Sequence, residues 1–235
     1  ISVIRKNPRN LFMYLNCHTY YSLRYGTISP ETLIEQAGKM GIEQMALTDI
    51  NNATAMPDFV KLCKEQGIVP VAGMEFRKGD QLLYIVLARD PEGFRRINAF
   101  LSNHNISHSA FPARFPVCEH TFVIYPFGEK TPLPKGEHEY TGVRPWDLTR
   151  LSTSPLRHHP EKLVALQPVS FLSEKEYELH RHLRAIDHNL VLSLLQPRQL
   201  AQHRGDEFLT SEARVHRHHQ HEVDHAQQRL NAGHV

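Results

Sequence analysis

The chain has 235 residues, 40% hydrophobic and 22% charged, the composition of a soluble globular protein with room for one large α/β domain or one domain plus an appendage. A formal charge of +2 without a dense Lys/Arg stripe argues against a dedicated nucleic-acid binder, and the longest apolar run, residues 82–88, is far short of the ~20 residues that span a bilayer. Three scattered cysteines (Cys17, Cys63, Cys118) exclude a disulfide framework and a Cys-x-x-Cys metal site, and point to a reducing, cytoplasmic compartment.

Residues 11–15 form a strand-like run that delivers Asn16, Cys17 and His18. Ser29-Pro30 then opens a helix, serine suiting the N-cap and proline the first helical position. Leu33, Ile34, Ala37 and Met40 share one face, and Gly41 stands where a C-cap belongs. A short strand over 45–47 ends in Thr48-Asp49, and a second helix carries Met56, Phe59, Val60 and Cys63 before stopping at Gly67. Strands follow over 68–72 and 82–88, and Pro91 opens a third helix bearing Phe94, Ile97, Phe100 and Leu101. Residues 104–120 and 128–145 read as surface connections on either side of a strand over 122–127. Residues 146–151 form a helical turn, 162–169 a further strand, and Ser173 opens a helix running towards Leu195. Seven of the 17 histidines fall between His203 and His234, in a stretch poor in apolar residues that reads as a weakly packed helix or a disordered end.

Strands alternating with helices through short connections predict parallel strands joined by right-handed crossovers. In such folds sites assemble at the carboxyl ends of strands, so Asn16, His18, Asp49 and Glu75, all read as following strands, are expected to converge. Asp49, Asn51 and Asn52 read as local turn chemistry, because such side chains bond their own backbone. Cys17 and Cys63 read as small buried fillers. No Ser/His/Asp order, phosphate-binding glycine loop or G-x-G-x-x-G is present to support another enzyme class.

The segments YLNCHTYYSLRYGT, ALTDINN, GIVPVAGMEF and LRAIDHN, in that order, resemble the N-terminal PHP (polymerase and histidinol phosphatase) domain of the bacterial DNA polymerase III alpha subunit. TFVIYPFGE, TGVRPWDL and EKLVALQPVSF are similar to a variant branch of that family. The resemblance implies an α/β fold, a distorted (β/α)7 barrel over 11–200 with a C-terminal helical extension. Residues 1–10 would be an N-terminal extension, and 201–235 a His-rich segment leading towards a polymerase core that this chain does not contain.

Active members of the family hold a cluster of metal ions on His, Asp, Glu and Cys ligands at the strand ends. Carried over position by position, most of those ligands are missing here. The paired histidines correspond to Asn16 and His18, the acidic residue before Gly26 to Tyr25, and the histidine after Thr48-Asp49 to Ile50. The glutamate stands as Glu75. The next histidine falls near Leu83, the cysteine segment becomes Ile124-Tyr125-Pro126, and the closing Asp-x-His becomes Pro168-Val169-Ser170. His18 and Glu75 alone are too few to hold zinc, which takes at least three protein ligands even in catalytic sites.

Asn16, His18, Asp49 and Glu75 are therefore expected to line a vestigial metal pocket, with no catalytic residue, metal or cofactor. The resemblance implies a non-catalytic domain of a replicative polymerase with a structural or docking role. Its partners would be the polymerase core of the same full-length chain and a proofreading exonuclease subunit, with DNA met only through the full-length protein and no membrane. Two readings of other classes compete: an active metal-dependent phosphoesterase or 3′-5′ exonuclease with an altered ligand set, and a His-rich metal-binding protein. The last rests on tail residues His218 and Glu222, or His221 and His225, which are four apart and share a helix face.

Overall fold

The computed structural model describes residues 13–116, 118–128 and 133–201. The expected N-terminal extension and the His-rich tail, with His218, His221, Glu222 and His225, lie outside the described residues.

Helix boundaries follow from local chemistry. α1 (Pro30–Lys39) starts on Ser29, whose hydroxyl accepts from the Thr32 amide at 3.1 Å, and it buries Leu33, Ile34 and Ala37. α2 (Met56–Glu65) buries Met56, Phe59 and Cys63. α3 (Pro91–Ser107) is capped by Asp90, which accepts from the Gly93 amide at 2.8 Å. A short α4 (Leu148–Leu151) and a longer α5 (Glu174–His188) follow. α5 stops at Asn189, whose φ of 52° ends the helix before the expected limit at Leu195.

The strands are β1 (Met13–Tyr14), β2 (Asn16–Cys17), β3 (Gln44–Leu47), β4 (Val69–Lys78), β5 (Gln81–Ala88), β6 (Thr121–Pro126), β7 (Glu139–Val143), β8 (Leu163–Ala165) and β9 (Pro168–Val169). Seven of them form one sheet in the order β1-β3-β4-β5-β6-β7-β8, while β2 pairs in parallel with β9. The Thr48 amide also donates to Cys17 O, so β2 touches β3 on one side and β9 on the other. The β2–β9 pair thus lies beside the β3 end of the sheet, which curls around an interior.

That interior contains strand and strand-flanking side chains: Leu15, Ala46, Ile85, Leu87, Phe122, Ile124, Tyr140 and Leu166. The alternate residues of the same strands, Tyr84, Val86, Val123 and Tyr125, face outward and pack with Ile97 of α3. α1 and α2 cover the other flank through Leu33, Ile34, Phe59 and Cys63, against Met45 and Cys17. Cys17 and Cys63 are buried, as expected.

Three expectations are corrected. The strands are not uniformly parallel: β5 runs antiparallel to both β4 and β6. β4 and β5 are joined by the Gly79-Asp80 turn, not by a helix, and Gly79 supplies the positive φ (58°) that a two-residue hairpin with glycine first requires. Strict βα alternation therefore fails, and the fold is an α/β curled sheet rather than a regular repeat. Second, residues 139–143, read as a surface connection, form the fully buried β7. Its Glu139 hid the strand signal. That carboxylate is held inside by Arg114, the Tyr125 hydroxyl and the Lys135 and Gly136 amides. Third, the strand read over 162–169 breaks into β8 and β9. Among the described residues no helix is long and apolar enough to cross a membrane.

The loop after β2 closes tightly at Gly26, where a Cβ would overlap the Thr19 carbonyl. Gly26→Ala is expected to lower stability by about 1–3 kcal/mol through this overlap. Urea unfolding measures it, and an unchanged midpoint would mean that the loop yields freely.

Candidate functional site

A cluster of buried polar groups lies at one end of the curled sheet's interior, and alternation decides which of them reach it. On β4, Met74 and Phe76 belong to the outer core, so Glu75 between them points inward. On β2, Cys17 packs under α1 and α2, so its neighbours Asn16 and His18 turn the other way. Asn16, His18 and Glu75 are completely buried, and Asp49 is 1% exposed.

These residues meet. Glu75 Oε2 accepts from Asn16 Nδ2 at 2.8 Å and lies 3.1 Å from His18 Nε2. A carboxylate can only accept, so His18 Nε2 carries the hydrogen of that bond. His18 Nδ1 lies 2.9 Å from the Ser170 hydroxyl, just beyond β9. Asn16 Oδ1 accepts from the Thr48 hydroxyl at 2.7 Å. The other carboxylate oxygen, Glu75 Oε1, is ion-paired with Arg77 Nε. The Arg77 guanidinium also lies 4.3 Å from the centre of the Tyr25 ring, and that ring packs edge-on against His18 at 5.5 Å.

Asp49 is not engaged in turn chemistry, contrary to expectation. Its carboxylate accepts from the Thr19 amide (2.6 Å), the Thr19 hydroxyl (2.7 Å) and the Ser22 hydroxyl (2.7 Å), tying the loop after β2 to the end of β3. Asn51 bonds the amide and carbonyl of Arg77 on β4. Only Asn52 makes the expected local bond, to the Thr54 amide at 2.7 Å. Nor do Asn16 and Glu75 follow strands. Asn16 lies in β2, and Glu75 lies well inside β4, which runs beyond the expected end at residue 72.

Charge in this cluster is balanced by side chains. Burial alone would raise the Glu75 carboxyl, but the Arg77 guanidinium and His18 outweigh it and hold the group well below the usual carboxylate range. Burial opposes the charge on Arg77, yet Glu75 and Tyr25 keep it firmly protonated. For Asp49 burial wins over its three donors and shifts the carboxyl upward.

Sequence reasoning named Asn16, His18, Asp49 and Glu75 and missed Arg77, Ser22, Thr19 and His180. Arg77 had a signal: two residues beyond Glu75 on a strand, it shares the inward face. Tyr25, Ile50 and Ser170, singled out as replaced ligands, do border the cluster, whereas Leu83 packs on the outer core and Leu82 on the inner one. His180 of α5 is fully buried behind Tyr25, its Nδ1 2.7 Å from Tyr25 O and its Nε2 accepting from the Ala201 amide at 2.8 Å. That pair of bonds fixes the neutral tautomer with hydrogen on Nδ1.

The donor set does not fit the metal cluster implied by the resemblance. Both Glu75 oxygens are spent on Arg77, Asn16 and His18, and a guanidinium stands beside the carboxylate, where an incoming cation would have to displace it. Among the described residues, no three His, Cys, Asp or Glu side chains gather in a way that could hold a metal ion.

Residues 15–123 match the family model of the PHP domain. The DNA polymerase III subunit alpha of Staphylococcus epidermidis is 26% identical over 192 residues, covering 79% of this chain and 18% of that protein. The error-prone DNA polymerase of Symbiobacterium thermophilum is 30% identical over 91 residues, 39% of this chain and 8% of that protein. The chain thus spans less than a fifth of these relatives. Among solved structures, an amidohydrolase from Chromobacterium violaceum is 20% identical, covering 41% of this chain and 34% of its own, with a TM-score of 0.33.

Proposed function

We propose that this chain is a non-catalytic PHP-like domain of a DNA polymerase III alpha-type polypeptide, with a structural or docking role in cytoplasmic DNA replication. The observation that carries this reading is the Arg77–Glu75 ion pair. Metal-dependent hydrolysis requires a cation that polarises the phosphate and acidifies a bound water. Here the glutamate is neutralised by a guanidinium, which cannot acidify a bound water, and its remaining partners are the Asn16 amide and the His18 imidazole. A buried network of this kind stabilises the fold, and the one hydroxyl it sets against an imidazole, Ser170 beside His18, is completely buried.

In this reading residues 11–200 form the domain, 201–235 lead towards a polymerase core, and Asn16, His18, Asp49 and Glu75 are the vestige of a metal pocket. Leu179 and Ile186 on α5, with Val191 and Leu194 just after it, are exposed and supply apolar surface for docking the core or a proofreading exonuclease subunit. DNA would be met through the full-length polypeptide.

The test is activity of untagged chain towards p-nitrophenyl phosphate and a single-stranded oligonucleotide, with manganese, zinc or magnesium added. No hydrolysis above the no-protein control is expected. Turnover that His18→Ala abolishes would establish the rival reading, a phosphoesterase or exonuclease with an altered ligand set.

A further inference from the structure

Beside the Glu75–Arg77 pair the sheet opens into a cleft of about 240 Å³. Its walls include Tyr25 from the loop after β2, Arg77 and Asp80 from the β4–β5 hairpin, Arg144 at the end of β7, and Arg198 from the segment after α5. Three guanidinium groups thus converge from parts of the chain far apart in sequence.

Their charges are unequally compensated. Arg77 is neutralised by Glu75. Asp80, the acid of the cleft wall, is taken by Arg184 and also lies 3.1 Å from His188 Nε2. Arg144 sits over the Trp146 ring at 5.4 Å, and only its backbone amide bonds a carboxylate, that of Asp147. Asp147 in turn is paired with Arg150. Among the described residues neither Arg144 nor Arg198 has an acidic side-chain partner. The cleft therefore carries about two uncompensated positive charges in a small concave space, where field lines focus and an anion is attracted.

We infer that this cleft is an oxyanion site that takes the doubly charged phosphate group, held by Arg144, Arg198 and Arg77 as a ligand and not turned over. Guanidinium forks match tetrahedral phosphate oxygens with paired N–H bonds, and a phosphate near neutral pH carries about −1.5 to −2, equal to the surplus. The volume lies below the ~300–1,000 Å³ of pockets that swallow a drug-sized ligand, so the phosphate group itself is the recognised part. Arg144 and Arg198, which supply the uncompensated charge, fall outside residues 15–123, whereas Arg77 and Tyr25 lie within them. A bound phosphate would also link the segment carrying Arg198 to the sheet.

The experiment titrates the whole chain with inorganic phosphate near pH 8, where histidines are neutral, with chloride holding ionic strength constant. Calorimetry and the unfolding temperature are the readouts. A saturable heat and a rising unfolding temperature are expected. Arg144→Gln with Arg198→Gln should weaken binding at least ~10-fold without changing the unfolding temperature in chloride. Arg198→Gln alone, at an exposed position, should weaken it a few-fold and guards against misfolding of the double variant. A 5′-phosphorylated oligonucleotide that competes where its 5′-hydroxyl counterpart does not would identify the source as a strand end; competition by neither would identify it as the free ion. No saturable binding, equal binding by the glutamine variants, or equal competition by both oligonucleotides would overturn the inference.

Discussion

Glu75→Leu is expected to lower the unfolding free energy by about 3–5 kcal/mol, the usual cost of stranding one member of a buried ion pair. The substitution removes the partner of Arg77, whose side chain is 10% exposed, and leaves Asn16 Nδ2 and His18 Nε2 without an acceptor. Arg77→Met should cost a similar amount, because a completely buried carboxylate then loses its cation. The double variant, Glu75→Leu with Arg77→Met, should cost much less than the two singles combined, since no charge is left stranded. Urea unfolding of the four chains at pH 7 gives the coupling. Additive effects would mean that the two charges do not depend on each other and that the guanidinium is not the counter-cation of the pocket. The pH dependence of the pair follows from its sign. The Glu75 carboxyl is lower in the folded than in the unfolded chain, so its contribution is fully present above about 4.5 and is lost only as the pH falls below that value.

The second large effect comes earlier on acidification, from His180. Burial pushes this imidazole down from 6.5 to about 4, with Arg184, Arg77 and His18 opposing its charge and the Tyr25 carbonyl favouring it. The unfolded chain therefore binds a proton between about 6.5 and 4 that the folded chain refuses. Stability is complete above 6.5 and falls as the pH drops towards 4. At about 1.4 kcal/mol for each pH unit, the loss amounts to about 3 kcal/mol. Protonation would also force Nε2 to donate where it now accepts from the Ala201 amide, so the segment ending α5's return to the sheet should loosen first. Asp49 works the other way, because its folded carboxyl is shifted upward, and it offsets part of the loss at the acid end. Unfolding free energies at pH 7, 6, 5 and 4.5 provide the measurement, with His180→Gln as the comparison. That variant should be less stable at pH 7 and show a flatter profile through this window. A wild-type profile as flat as the variant's would remove His180 as the acid-sensitive group.

Much of the fold was legible because much of it is local. Ser29 and Ser173, read as helix starts, cap their helices with their own side chains, and each lies within three residues of the amide it satisfies. The apolar faces of α1, α2 and α3 followed from period 3.6, and the strands read over 45–47, 82–88 and 122–127, each within a residue of its bounds in the structure, from short apolar runs. Asn16, His18 and Glu75 were named as a converging set because they read as strand ends; they do meet, but Asn16 and Glu75 lie within strands, and alternation turns them inward. What the sequence did not determine was anything settled by pairing across distance. A two-residue turn at Gly79-Asp80 sufficed to send β5 antiparallel, while the preceding run of βα units pointed to another parallel strand. β7 was missed because Glu139, polar in sequence, is satisfied by Arg114 and Tyr125 from elsewhere in the chain. Asp49 read as a turn residue because its real donors, Thr19 and Ser22, lie about thirty residues earlier and reach it only when β2 lies beside β3. The identity of the cation facing Glu75 was likewise a tertiary decision. Alternation puts Arg77 on the inward face, but only the folded sheet, with His18 and Asn16 already on the other carboxylate oxygen, makes a guanidinium the group that neutralises it.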